Sequence, residues 1–118
     1  MPPPPRPRLS IRVDFPNGRR FGPGKADLLA AIETAGTVSG AAQSLAMSYP
    51  RALRLIEDMN GLFDRPLVET FHGGQARGGA QLTDAGKTVL AHYRALEAEL
   101  DAKGAALLAA FGPETAPR

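Results

Sequence analysis

Tyr49, Arg51 and Arg54 are the side chains whose types and spacing best suit recognition chemistry, in the run S-Y-P-R-A-L-R-L-I-E-D-M-N from Ser48 to Asn60. A guanidinium can bond guanine O6 and N7 as a bidentate pair, and a tyrosine can reach a phosphate or pack on a thymine methyl. Ser48 is a helix cap candidate, because its hydroxyl can accept from an unpaired first-turn amide. The spacing predicts a helix over about 48–62, with Ala52, Ile56, Met59 and Phe63 on its apolar face and Tyr49, Arg51 and Arg54 opposite. Glu57 and Asp58 repel phosphate, so contact is expected from the N-terminal half alone.

Charge on a helix usually marks nothing more than a solvated face. The preceding residues decide against that reading. Val38, Ala41, Ala42 and Leu45 recur at spacings of three and four, Ser39 is the expected cap, and Ala46-Met47 breaks the pattern. A short small-residue helix under a longer one with a basic outer face is a helix-turn-helix pattern, which places its second helix in the major groove. The run from His72 to Gly79, H-G-G-Q-A-R-G-G, lies between two β-prone stretches, 67–71 and 80–82, and reads as the tip of a wing. Its glycines let a backbone approach another surface closely. The expected DNA-facing set is therefore Ser39, Ser48, Tyr49, Pro50, Arg51, Arg54, His72, Gly73, Gly74, Gln75 and Arg77. A nucleotide-binding loop is disfavoured, because Gly79 is followed by Ala80 and Gln81 instead of Lys and Ser or Thr.

Other chemistries find little support. The sequence has no cysteine, which removes disulfides and thiolate catalysis and fits a reducing, cytoplasmic compartment. His72 and His92 have no ligand-spaced partners, and no G-x-S-x-G elbow occurs. The expectation is a non-enzyme with no catalytic residue, no metal and no cofactor. No apolar run approaches the ~18 residues of a membrane span, and the opening M-P-P-P-P-R-P-R lacks a secretory apolar core.

The 118 residues suit one domain, and a net charge of +2 is too small for indiscriminate coating of nucleic acid. Positive charge gathers early: Arg6, Arg8, Arg12, Arg19, Arg20 and Lys25 face only Asp14 in the first 25 residues. Residues 1–8 form an expected disordered Pro/Arg tail, more solubilising than groove-binding. Leu9, Ile11, Val13 and Phe15 alternate with polar residues as a strand does, and Asn17-Gly18 turns it into a hairpin. A two-residue loop would set Phe15 against Arg20, so a longer loop pairing Phe15 with Phe21 is expected. The roles of Arg12, Arg19 and Arg20 stay open.

A helix over 25–35 follows, with Leu28, Leu29 and Ile32 inward and Gly36 as its stop. From the cap Thr83 a single helix is expected to run to Phe111, with 112–118 disordered. Val89, Tyr93, Leu96, Leu100 and Leu107 form a heptad-like seam with Lys103 in it. At ~40 Å, from ~1.5 Å per residue, that helix outreaches so small a domain, which points to a homodimer interface. The fold class is mainly α with small β: a winged helix-turn-helix domain over 9–82, with an N-terminal hairpin, a two-stranded wing, and a long dimerisation helix over 83–111.

The runs G-P-G-K-A-D-L-L-A-A-I, G-T-V-S-G-A-A-Q-S-L-A-M-S-Y-P-R-A-L-R-L-I-E-D-M-N, P-L-V-E and G-G-Q-A-R-G-G-A-Q-L-T-D-A-G resemble the N-terminal DNA-binding domain of the ModE family of molybdate-responsive bacterial regulators. The likeness covers about residues 9–110, and Ser48-Tyr49-Pro50 is also similar to the start of the recognition helix in LysR-type proteins. The resemblance implies a homodimer on a palindromic operator near molybdate or molybdoenzyme genes. Ala46 stands where the family usually has glycine, and Arg77 replaces a wing glycine. The molybdate-binding domains of full-length members have no counterpart in these residues, so molybdate binding by this chain is not expected. The alternatives are a protein-protein interaction module on the same scaffold, or a non-specific architectural DNA binder.

Overall fold

The computed structural model describes residues 7–71 and 78–111. Helix α1, Pro23–Ala35, begins two residues before the expected start. Pro23 sits in the first turn, where its missing N–H would find no partner and its fixed φ already suits a helix. Leu28, Leu29 and Ile32 are fully buried, and Gly36 closes the helix with a left-handed φ of 73° and an N–H donated to the Ile32 carbonyl.

Helix α2, Val38–Ser44, is capped by Thr37, whose hydroxyl accepts from the Gly40 amide at 2.9 Å. This corrects the expectation that Ser39 is the cap. Thr37 has the extended backbone a cap requires, whereas Ser39 already lies inside the helix on its exposed side. Val38, Ala41 and Ala42 pack inward. Helix α3, Tyr49–Asn60, opens on Ser48, whose Oγ accepts from the Arg51 amide at 3.2 Å. Ala52, Ile56 and Met59 are buried as their spacing requires. Phe63 does not extend that face, because the helix ends at Asn60; its ring instead meets Phe15 edge-on at 5.4 Å.

Ahead of α1, strands β1, Val13–Asp14, and β2, Arg20–Phe21, make an antiparallel hairpin. The expected Phe15–Phe21 pair is not formed. The loop is longer than two residues but holds only Pro16, Asn17 and Gly18, so Phe15 donates to the Arg19 carbonyl and Val13 stands opposite Phe21. Gly18 supplies the φ of 85° that this turn needs.

The wing strands are β3, Val68–Thr70, and β4, Ala80–Leu82, paired Val68 to Leu82 and Thr70 to Ala80. The residues before α2 add to the free edge of β4, with Ala80 donating to the Gly36 carbonyl and Thr37 bridging to Gly79.

Helix α4, Asp84–Ala109, is capped by Thr83, which accepts from the Gly86 amide and donates to the Pro66 carbonyl at 2.7 Å. Gly86 lies against the Leu67 carbonyl so closely that a Cβ would collide with it. Tyr93 corrects the seam reading. It is buried in the chain's own core, its ring 5.3 Å from Phe21 and its hydroxyl donating to the Ile11 carbonyl at 2.7 Å. That burial, with Glu97 nearby, raises the phenol above its ordinary pKa. Val89 is half-buried against the same core. One turn on, Arg94 joins α4 to α1 through Asp27 at 3.0 Å and bonds Glu97 at 2.9 Å. Past that tie, Leu96, Leu100 and Leu107 are 41%, 38% and 76% exposed, while Leu9 of the N-terminal segment still lies near Gly104.

Candidate nucleic-acid interface

The surface begins at the turn between α2 and α3. Ala46 adopts a left-handed φ of 54°. Its N–H donates to the Gln43 carbonyl, and Met47 donates to Ala42. This pair of hydrogen bonds satisfies carbonyls of the last α2 turn, and it aims the following residues outward. Ser48, Tyr49, Pro50, Arg51 and Arg54 are all exposed. Ser48 uses an oxygen lone pair on the Arg51 amide, which leaves its hydroxyl proton to donate elsewhere.

The guanidinium groups of Arg51 and Arg54 make no hydrogen bond or ion pair with any described residue. Glu57 and Asp58 lie three and four positions beyond Arg54, yet they do not hold it. Two unpaired forks therefore stand on the first two turns of α3, where an inserted helix meets base edges. Ser39 lies exposed on the first turn of α2, close in sequence to the Thr37 cap. His72, Gly73, Gly74, Gln75 and Arg77 lie outside the described residues. The wing root is positioned: Phe71 donates to Gly79 at 2.8 Å and Gly78 donates to Phe71 at 2.9 Å.

Two residues that hold this surface are invisible to motif reading. The side chain of Asn60 accepts from the Leu67 and Val68 amides at 2.8 and 3.0 Å, and donates to the Val68 carbonyl at 3.1 Å. It thereby joins the end of α3 to the start of the wing. Arg19 donates to the Asp58 carbonyl at 3.3 Å, across 39 residues of sequence. Of the hairpin arginines left open, Arg12 is engaged with Asp14 at 2.8 Å, and Arg19 is engaged with α3. A polar residue at a helix end was the one available signal for Asn60; nothing local distinguishes Arg19.

Among the described residues, no group of three or more His, Cys, Asp or Glu side chains is placed to hold a metal ion. No helix among them is long and apolar enough to cross a membrane.

Residues 25–87 match the model of the bacterial regulatory helix-turn-helix proteins of the lysR family. Over 92 residues, or 78% of the chain, the sequence is 41% identical to the molybdenum transport protein ModE of Azotobacter vinelandii, and it covers 33% of that protein. Over 81 residues, or 69% of the chain, it is 43% identical to the molybdenum-pterin-binding protein MopB of Rhodobacter capsulatus, covering 30% of it. The chain thus spans about a third of the length of these relatives. The crystal structure of a CbnR_DBD–DNA complex superposes with a TM-score of 0.59 at 25% identity, covering 74% of this chain and 94% of that one. The architecture is a winged helix of the DNA-binding, regulatory kind.

Proposed function

The chain belongs to the lysR family of bacterial regulatory helix-turn-helix proteins, and from that premise we propose that it binds a specific, palindromic DNA operator as a homodimer. The observation that carries this reading is the pair Arg51 and Arg54, exposed and without a partner among the described residues on the first two turns behind the Ser48 cap. An arginine fork on a groove-facing helix reads guanine directly. A pure interaction module has no need of two unpaired forks at that place. A non-specific architectural role suits many phosphate contacts, which a net charge of +2 does not favour.

The dimer reading rests on Leu96, Leu100 and Leu107, which leave an apolar stripe on the half of α4 that extends past the Arg94–Asp27 tie. Two copies joined along that stripe would present two α3 helices, and an operator with matching half-sites follows from that symmetry. The names of the relatives connect the reading to molybdenum, and genes of molybdate uptake or molybdoenzymes are the proposed targets. A role on DNA supports a cytoplasmic location, and we propose neither a catalytic step nor a cofactor. Molybdate is a tetrahedral dianion that needs several convergent donors; we assign no such site to this stretch and expect tens of micromolar molybdate to leave its melting temperature unchanged.

Selection of bound duplexes from a random pool, with and without molybdate, tests the proposal. A palindromic consensus with fixed spacing is the expected result. Recovery of unrelated sequences would overturn specific recognition, and recovery of an isolated half-site would overturn the dimer.

A further inference from the structure

The hairpin β1–β2 precedes the residues that match the family model, and its contacts give it a job of its own. Strands of two residues each do not hold together in water unaided. This hairpin is packed on both sides. Toward α4, Phe21 meets Tyr93 edge-on at 5.3 Å and Tyr93 donates to the Ile11 carbonyl. Toward α3, Phe15 meets Phe63 just past the helix end, and Arg19 donates to the Asp58 carbonyl.

The Arg19 contact answers a specific deficit. The last turn of α3 contains no basic residue and carries Glu57 and Asp58 instead. Carboxylates are unfavourable at a helix C-terminus, where unpaired carbonyls concentrate negative potential and favour a cation. The hairpin brings that cation from outside the helix. Gly61 leaves the room for it: a Cβ at that position would run into the Arg19 guanidinium. The backbone at Gly61, with φ of −93°, is one that any residue adopts, so space and not conformation is what a side chain there would disturb.

We propose that Arg19 is a positioning residue for DNA reading: it fixes the far end of α3 to the hairpin, and through the hairpin to α4, without itself touching DNA. Asn60 holds the same helix end to the wing. With both anchors in place the pitch of α3 is set, and the forks of Arg51 and Arg54 arrive at base edges in one orientation. Bidentate contact is sensitive to such orientation, whereas a contact to phosphate tolerates a loosened helix.

The inference rests on the reading of Arg51 and Arg54 as base contacts, and its test separates the two. Affinities of the full chain for its selected operator and for random duplex are measured against salt, for the wild type, Arg19→Ala, Gly61→Ala and Arg19→Lys, with melting curves to confirm folding. Arg19→Ala and Gly61→Ala should each lower the operator-to-random ratio about fivefold, the scale of a helix-terminus charge. Random-duplex affinity and its salt slope should not change, and Arg19→Lys should recover most of the ratio. Amide exchange at Met59, Asn60 and Leu62 should quicken in the first two variants. Equal losses on both duplexes, with a salt slope reduced by about one, would make Arg19 a phosphate ligand and overturn the proposal. So would an unchanged ratio. If the wild type shows no operator preference, the base-contact reading fails, and exchange in the last turn of α3 alone decides whether Arg19 holds the helix.

Discussion

Helix α3 and the distal half of α4 both face solvent, but they present opposite chemistries to it. On α3 every apolar position of the helical stripe, Ala52, Ile56 and Met59, is covered, and the outer face is Tyr49, Arg51 and Arg54. An exposed guanidinium is well solvated, so these forks cost little while they wait for an anionic or hydrogen-bonding partner. On α4 Lys103 pairs with Glu99 and Arg94 with Glu97, while Leu96 and Leu100 stay partly exposed and Leu107 largely so. A leucine in water forgoes up to ~1.5–3 kcal/mol of burial. One surface is therefore stable alone and suited to a polar ligand; the other would gain from a second apolar surface. The Arg94–Asp27 tie marks where α4 changes from the one condition to the other.

The sharpest way to break this contrast is to make α4 resemble α3. Leu96→Glu combined with Leu100→Glu should give folded monomers, because neither side chain is buried in the chain's own core. Operator affinity should fall ~100-fold or more as the two half-sites lose their linkage. Sedimentation would decide: a wild-type monomer at micromolar concentration removes the dimer.

Changing α3 should have a smaller effect of a different kind. Arg51→Ala or Arg54→Ala should cost ~1–3 kcal/mol on the operator and relax base preference at one or two positions, measured as binding to singly mismatched duplexes. Equal losses on random DNA would reduce both residues to phosphate contacts. Neither change should alter the oligomeric state.

At the C-terminal end of α3 stands the Asn60 clamp on the wing. Asn60→Ala leaves the Leu67 and Val68 amides without their acceptor and should destabilise the fold by ~1–2 kcal/mol. Chemical denaturation measures it, and a midpoint equal to wild type would show that water replaces the amide at no cost.

The contrast in exposed chemistry between α3 and α4 is largely legible in the sequence, because it lies in local periodicity. Ser48, Thr83 and Gly36 act at the helix ends where their residue types place them. The misreadings share a different cause. Thr37 and Ser39 are both hydroxyl residues near one helix start, and only the extended backbone at Thr37 separates them. Tyr93 keeps the heptad spacing of a seam residue, yet the hairpin covers it through Ile11, 82 positions earlier. Phe15 has the right face but another partner, since loop length and not hydrophobicity sets the hairpin register. Arg19 acts across 39 residues, so no short window of sequence contains both halves of its contact; Asn60 reaches only seven and eight residues on, but its residue type does not say which amides it will hold.

The smallest expected effect sits at the hinge between α2 and α3. Ala46 is the residue just past the end of α2, and its φ of 54° is the left-handed conformation that glycine adopts without penalty at such positions. Alanine there costs ~1 kcal/mol from its Cβ against the backbone. Ala46→Gly removes that cost, but it also frees the unfolded chain, which returns a few tenths of a kcal/mol. The net gain should be ~0.5 kcal/mol, a rise of about 2–4 °C in melting temperature for a domain of this size. The Ala46 and Met47 hydrogen bonds are to backbone carbonyls, so they survive the change. Operator affinity should stay the same if the strain is only a structural cost. A stabilised variant that binds operator more weakly would show instead that the strained alanine limits how far α3 can turn against α2, and would make the hinge part of recognition.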